Sequence, residues 1–493
     1  MSSDPATPGD AVPHGSVQAQ ERAALKLALM GLAGASIEWY DFLLYGTAAA
    51  LVFPTVFFAS SLPPFVALLA SLSTFAVGFV ARPFGAILFG HMGDRVGRKK
   101  TLAAALILMG VATTLIAFLP PYESAGVISP VALVFLRLLQ GLAVGGQWGG
   151  ATLLATESAP RARRGWYGSI AQAAPAVGVL LANVAFLVVI GAMSPETFIA
   201  YGWRIPFAFS VLLVALGLYV HFRVEETHAY RTLLIRASSP SSGLVAHNDA
   251  RPSIAPAAQP LPRHSSPIIE ALRQYPGRIF LAAGVFVPSN AGFYLGITYV
   301  VAYGTSAAGL QLPRSVMLGA VLIGSIVSIP VAILAGALSD RFGRRRIIMV
   351  GVTLLGAWTF AMFQLIETRS FMWITVGLAV SGCLNNLMYG PLAAMFAELF
   401  DTRVRYSAMS MAYQFAAIAG GAVTPILATS LYARYHTNVW IAMYMAIACA
   451  VALACITRLR ETVARDLEEP SPLPAVVVAD ALSTANSCSL RGP

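Results

Sequence analysis

Hydrophobic and polar positions along this chain fall into long apolar runs separated by short polar breaks. A membrane-spanning helix needs roughly 20 mostly apolar residues. Twelve runs qualify, at about 27–53, 66–90, 101–119, 130–156, 166–190 and 203–223, then about 277–303, 314–338, 347–366, 371–398, 406–433 and 437–457. Residues 224–276, rich in Ser, Pro, Ala and Arg, separate the two sets. Within that stretch Glu225, Glu226 and Ile268 to Arg273 read as short helical shoulders, and Ser238 to Pro267 reads as disordered linker with too little apolar surface to order itself. The tail after Arg460 has several prolines and no heptads, so no coiled coil is expected there.

The breaks themselves repeat. Gly90, Asp94, Arg95, Gly97, Arg98, Lys99 and Lys100 return with the same spacing, 246 residues on, as Gly336, Asp340, Arg341, Gly343, Arg344, Arg345 and Arg346. One basic turn at a membrane face is weak information, because it anchors a hairpin to anionic lipid whatever else it does. Two copies of a glycine-punctuated pattern mark two related halves with the same hinge at the same depth. A second correspondence runs at an interval of 241, from Trp148, Gly149 and Glu157 to Tyr389, Gly390 and Glu398. A basic turn follows each Glu, at Arg161 to Arg164 and at Arg403 to Arg405. The prediction is an all-α membrane protein of twelve transmembrane helices in two parallel-related halves. Its domains are a disordered cytosolic N-terminus 1–26, a six-helix bundle 27–223, a cytosolic linker 224–276, a second bundle 277–457 and a cytosolic tail 458–493. Parallel repeats place a substrate site between the halves near the bilayer midplane, which is transporter geometry.

Composition excludes the main rivals. Of 493 residues 57% are hydrophobic and 11% charged, with mean hydropathy +0.72, whereas soluble domains carry about 25% charged residues. The net charge of +10 does not mark a nucleic-acid face. Apart from Arg82, Arg137, Arg204, Arg314, Arg369 and Arg434, the basic residues fall in loops and tails on one side of the spans, which sets both termini in the cytosol. Residues 1–20 are polar and read as a cytosolic tail, not a cleavable signal. Cys383, Cys449 and Cys455 lie in apolar runs and Cys488 in the tail, with no disulfide or metal spacing. No nucleophile with its base and no metal-ligand set appears, so no enzyme chemistry, metal or cofactor is expected.

Several stretches carry a family likeness. The doubled glycine-rich turn resembles the signature loop of the major facilitator superfamily. More narrowly, Glu38 to Phe42, Gly145 to Gly150, Glu157 to Pro160 and Gly202 to Phe207 resemble the metabolite:proton symporter family. Trp39 to Gly46 resembles its shikimate permease type in particular, and the likeness covers nearly all of 27–460. The resemblance implies proton-driven import of a small metabolite, usually a carboxylate, by a functional monomer in a bacterial inner membrane. Family substrates range from shikimate, aromatic acids and di- or tricarboxylates to zwitterionic osmolytes. The alternatives kept are a zwitterion importer, for which the family implies a C-terminal coiled coil absent here, and a proton-driven drug exporter. Relatives often carry Glu where this chain has Gln147. If that acid couples protons elsewhere, the role passes here to Glu38 or Asp41.

Charge inside a span is costly, about 2.5–3.5 kcal/mol at mid-bilayer on insertion scales, and so points to function. The N-terminal half has four such groups: Glu38 and Asp41 in the first span, Arg82 in the second and Arg137 in the fourth. Glu38 and Asp41 are three apart and share a helix face. Counting helical rise from the cytosolic end puts Arg82, Glu38, Asp41 and Arg137 at about 12, 17, 21 and 28 Å. On the functional reading, Asp41 or Glu38 carries the proton, Arg137 engages the substrate carboxylate, and Arg82 supports gating. The plainer reading makes Asp41 with Arg137, and Glu38 with Arg82, static ion pairs. Tyr45, Gln140, Gln147 and Trp148 complete the substrate-binding candidates of this half.

The second half has no charge inside its spans. It offers Asn290 and Tyr294, Asn385, Asn386 and Tyr389, and Tyr413 with Gln414, amides and phenols suited to hydroxyls or a ring. Their alternative duty is interhelical hydrogen bonding. Gly141, Gly145 and Gly149 recur every four residues and are expected to let a neighbouring helix approach. The gating candidates are Gly90, Asp94, Arg95, Gly97 and Arg98 with Gly336, Asp340, Arg341, Gly343 and Arg344. Asp94 and Asp340 are expected to accept from a helix N-terminus or a nearby Arg, and Glu157 and Glu398 to pair with loop arginines.

Overall fold

The computed structural model describes residues 14–96, 98–145, 152, 155–157, 159–223, 267–307, 309–401 and 404–463. Over its described residues each predicted run is mainly helical, the one open-ended way to satisfy every backbone N–H and C=O inside lipid. The first half contains α1 (His14–Leu51), α2 (Pro64–Val96), α3 (Arg98–Ile116), α4 (Ile128–Gly145), α5 (Arg161–Ala192) and α6 (Arg204–Arg223). The second contains α7 (Pro276–Thr305), α8 (Arg314–Phe342), α9 (Arg344–Glu367), α10 (Phe371–Leu399), α11 (Arg405–Tyr435) and α12 (Val439–Arg458). Residues 14–26, expected to be disordered, belong to α1. Gln18 to Lys26 is dense in Ala, Gln, Glu, Leu and Lys, strong helix formers even where no packing helps them. Most of the linker, 224–266, lies outside the described residues, and the shoulder around Ile268 to Arg273 is the helix Pro267–Gln274.

The repeat read from the loops recurs in the packing. In the first half α1 packs on α5 and α6, α2 on α4, and α3 on α4 and α6. In the second half α7 packs on α11 and α12, α8 on α10, and α9 on α10 and α12. The halves meet through α5 against α8 and α10, α2 against α11, and α1 against α7. Glycine makes the tightest of these crossings. A Cβ on Gly141 or Gly145 of α4 would overlap the carbonyl oxygens of Gly78 or Arg82 on α2, and one on Gly390 of α10 would overlap that of Ala332 on α8. The third expected glycine, Gly149, lies outside the described residues.

The outer surface is apolar, with Phe118 73%, Phe84 63% and Val188 64% exposed. Such a girdle is an aggregation liability in water and the ordinary outer face of a bundle in lipid. Two helices contain a π-helical turn, at Leu295–Tyr299 in α7 and Ala417–Ala422 in α11. Wide turns of this kind are frequent at functional sites, and both helices border the region described next.

Candidate functional site

Between the halves lies a cavity of about 80 Å³. Its floor in the second half is neutral and polar: Asn290 of α7, Asn385, Asn386 and Tyr389 of α10, Tyr413 of α11, and Ser289, Ser325, Ser328 and Ser381. The first half contributes Trp39 of α1 and Pro175 and Ala176 of α5. Ligand sites are usually about 300–1,000 Å³, so the space is small for a ligand site. Nearby, α1 packs against Leu295–Thr305 of α7.

Two guanidiniums are buried in the first half, neither on the cavity wall, in different circumstances. Arg137 of α4 is wholly buried, donates to Gln140 Oε1 at 2.9 Å and to the Phe75 carbonyl at 3.4 Å, and lies 4.2 Å from the Tyr45 ring centroid. Gln140 in turn donates to Thr113 of α3 at 2.8 Å. Arg137 is thus built into the first half. Arg82 of α2 is equally buried, yet none of its three nitrogens has a hydrogen-bond partner among the described residues. Its support is aromatic, with its charge centre 4.1 Å from the Phe42 centroid, 4.5 Å from Phe79 and 6.0 Å from Trp39. Ring faces attract cations by about 0.5–2 kcal/mol each, well short of what a buried, unpaired charge costs. The Tyr294 and Tyr413 phenols of the second half lie beside this guanidinium. Arg82 therefore stands at the seam, next to the cavity-lining Trp39 and Tyr413.

The acids are elsewhere. Trp39 faces the cavity, and Asp41, about 200° further round α1, faces Ser210 of α6 inside the first half. Asp41 is buried and its Oδ1 has no partner among the described residues. Glu38 is partly buried on the same stripe. Among the described residues neither acid forms an ion pair with Arg82 or Arg137.

At the end carrying the signature loops the halves are clasped. Asp340 of α8 accepts from the Gly165 and Trp166 N–H groups near the start of α5, at 2.8 and 2.9 Å, and from Arg344 at 2.6 Å. A carboxylate at a helix N-terminus meets both unpaired donors and the positive end of the dipole. Glu398 of α10 accepts from Arg344 at 3.2 Å and from Arg164 of α5 at 3.3 Å, and Glu157 accepts from Arg405 of α11 at 2.8 Å. Gly343, at φ +94°, makes the sharp turn from α8 into α9 and leaves room for Glu461, which accepts from the Arg344 and Arg345 N–H groups at 2.9 and 3.1 Å. Thr462 donates to Glu398 at 2.8 Å.

Residues 27–473 match the sugar (and other) transporter family. The chain is 36% identical to the inner membrane metabolite transport protein YhjE of Escherichia coli, over 89% of this chain and 94% of that one. It is 36% identical to the E. coli shikimate transporter, over 87% and 93%, and 30% identical to the E. coli proline/betaine transporter, over 89% and 84%. The chain belongs to the sugar (and other) transporter family of the major facilitator superfamily. Among solved structures the xylose transporter XylE of E. coli, partially occluded and inward-open, superimposes with a TM-score of 0.67 at 17% identity, over 90% of this chain and 99% of that one, which shows the shared fold. This protein is accordingly a membrane transporter and not an enzyme.

The transporter's candidate residues sort into four places. Asn290, Asn385, Asn386, Tyr389 and Tyr413 line the cavity, and Tyr294 adjoins it beside Arg82. Gln414 spans the halves, donating to the Gly145 carbonyl at 3.2 Å. Arg137, Gln140 and Tyr45 are not on the cavity wall; Tyr45 donates to Thr74 at 2.8 Å. Helical rise fixed their depth but not the rotation of α4 on α2, which Gly141 and Gly145 set. The static pairs Asp41 with Arg137 and Glu38 with Arg82 do not form among the described residues. Asp340, Arg344, Glu157 and Glu398 meet in the clasp, Gly336 packs on Ser169, and Arg341 is exposed. Gln147, Trp148 and Gly97 lie outside the described residues, as do Gly90 and the side chains of Asp94, Arg95 and Arg98. Sequence reasoning missed Glu461 and Thr462, because a Glu-Thr pair in a polar tail carries no local signal. It also missed the cavity serines, small residues in apolar helices with no charge or repeat to single them out.

Proposed function

We propose that this transporter imports a small organic acid together with a proton across a bacterial inner membrane, with both termini and the clasped loops on the cytosolic side. The observation that carries the reading is Arg82, a buried cation without an anionic partner among the described residues, set at the seam of the halves next to the cavity-lining Trp39 and Tyr413. A substrate carboxylate supplies the missing charge, and bidentate guanidinium–carboxylate pairing is the strong form of such contacts. The proton side follows from charge balance. The first half holds two buried arginines and two acids inside its spans. Protonating Asp41 or Glu38 leaves one positive charge uncompensated in low dielectric, and an incoming carboxylate cancels it. Proton and anion thus favour each other's binding, which is the coupling a symporter needs. The names of the relatives, a shikimate transporter among them, agree with an acid cargo. The proline/betaine transporter keeps a zwitterion in view, and among the described residues the cavity wall carries aromatic rings and no acid to meet its cationic end.

Uptake into proteoliposomes under an imposed pH gradient, acid outside, tests this with labelled shikimate, protocatechuate, 2-oxoglutarate and proline. The expected result is accumulation of an organic acid that a protonophore abolishes. Arg82→Gln is expected to raise apparent KM for that acid at least tenfold, with Arg82→Lys in between. Accumulation of none of the acids, or an unchanged KM in Arg82→Gln, overturns the proposal.

A further inference from the structure

In the second half α9 packs on α12, and each carries an exposed apolar stripe that ends in arginine where the clasp lies. On α9 the stripe is Arg346, Val350 and Leu354; on α12 it is Arg458, Val451 and Ile447, spacings that keep to one helix face. Arg460, just beyond the end of α12, is exposed as well. Arg345 joins the two helix ends. Its Nη2 donates to the Thr457 carbonyl at 3.2 Å, and its Nε is buried without a hydrogen-bond partner among the described residues. Among those residues none of Arg345, Arg346, Arg458 and Arg460 forms an ion pair. Glu461, next along the chain, is occupied by backbone: it accepts from the N–H groups of Arg344, Arg345, Thr462 and Val463.

We infer that the arginine-tipped end of the α9–α12 face docks the headgroup of an anionic phospholipid, and that the docked lipid favours the clasped conformation. Exposed apolar stripes on a membrane bundle meet acyl chains, so the arginines that close them stand at headgroup level. Like charges held close repel one another, and a phosphate among them turns that repulsion into attraction. Guanidinium meets phosphate oxygens through paired N–H bonds, and basic clusters between helix ends are the usual seats of anionic lipid. A headgroup with its own ammonium, as in phosphatidylcholine, brings a further cation into the cluster; the neutral glycerol of phosphatidylglycerol does not. The route to the clasp is short. Arg344, beside Arg345, donates to Asp340 at 2.6 Å and to Glu398 at 3.2 Å, and Thr462, beside Glu461, donates to Glu398 at 2.8 Å. A phosphate that holds the start of α9 to the end of α12 steadies these bonds, and a ligand that prefers one conformation shifts the population toward it. This holds whatever the cargo.

The test titrates delipidated full-length protein in detergent with phosphatidylglycerol or phosphatidylcholine and follows the first bound lipid by native mass spectrometry. At low ionic strength the wild type is expected to hold phosphatidylglycerol about 20-fold more tightly. Arg346→Gln and Arg458→Gln, both at exposed positions, are each expected to weaken it about fivefold, and together to bring the two lipids within about threefold of each other. Arg161→Gln with Arg163→Gln, the same loss of charge at the clasp end of the first half, is expected to leave the preference intact. Inorganic phosphate at matched ionic strength is expected not to displace the lipid. A second arm uses phosphatidylcholine liposomes, where added phosphatidylglycerol is expected to lower labelling of a cysteine placed at Ser169 by a membrane-impermeant thiol reagent about twofold, but not in the Arg346→Gln, Arg458→Gln variant. No preference in the wild type, equal loss in the two double variants, or displacement by inorganic phosphate overturns the docking site. Labelling unaltered by phosphatidylglycerol overturns its link to the clasp.

Discussion

At the scale of residues, the first half holds its charges apart. Arg82 rests on aromatic faces at the seam, Arg137 is tied to Gln140, and Asp41 faces Ser210 on the far side of α1. In the proposed symport this separation assigns the proton to the acid and the carboxylate to the cation. Asp41→Asn, close in volume but unable to release a proton, is expected to abolish accumulation driven by a pH gradient while counterflow of a preloaded acid remains measurable. Accumulation equal to wild type would pass the proton to Glu38. The presence of these four charges was legible in the sequence, because charge in an apolar run is conspicuous. Their facing was not: Arg82 stands beside the cavity-lining Trp39 and Tyr413, and Arg137 is tied to Gln140 within the first half. Depth depends on 1.5 Å of rise per residue, but facing depends on about 100° of rotation, and a one-residue difference in packing redirects a side chain entirely.

At the scale of elements, α4 lies on α2 because glycine removes the side chains that would hold them apart. Gly145 sits against the carbonyl oxygen of Arg82 itself, so the crossing also fixes where that guanidinium starts. Gly145→Ala is expected to destabilise the protein by about 1–3 kcal/mol, the usual cost of forcing added volume into a packed contact. The check is a lower melting temperature in detergent together with a raised KM for the transported acid. An unaltered melting temperature would show that α4 moves aside freely. The four-residue glycine spacing announced a close crossing, and the sequence left open which partner helix it met. The π-helical turns of α7 and α11 had no sequence signature, since one widened turn arises from neighbours packing against it and not from its own residues.

At the scale of the whole molecule, the clasp joins the halves through contacts absent from either alone: Asp340 on the start of α5, Arg164 on Glu398, and Arg405 on Glu157. Interactions present in one conformation and broken in the other shift populations between them. Asp340→Asn weakens the charge-assisted bonds to the α5 N-terminus and to Arg344. It is expected to increase labelling by membrane-impermeant thiol reagents of a cysteine placed at Ser169, and to slow net uptake with KM within about threefold of wild type, because the cavity is untouched. Labelling and uptake rates equal to wild type would reduce the clasp to a passive contact. The sequence showed both loops and both glutamates as paired motifs, and repetition at intervals of 246 and 241 residues carried that information. It did not show that Glu461 and Thr462 of the tail close onto the second loop.

The chain by itself determined the twelve membrane helices, the two related halves and the identity of the submerged charges, because hydropathy, spacing and charge are properties of the linear sequence and lipid penalises every exception. Tertiary structure decided which arginine stands beside the cavity-lining Trp39 and Tyr413, that Asp41 faces away from the cavity toward Ser210, and which partners Asp340, Arg344 and Glu398 meet in the clasp. Those outcomes depend on helix rotation and crossing, set by contacts between residues hundreds of positions apart, and no local pattern in the chain encodes them.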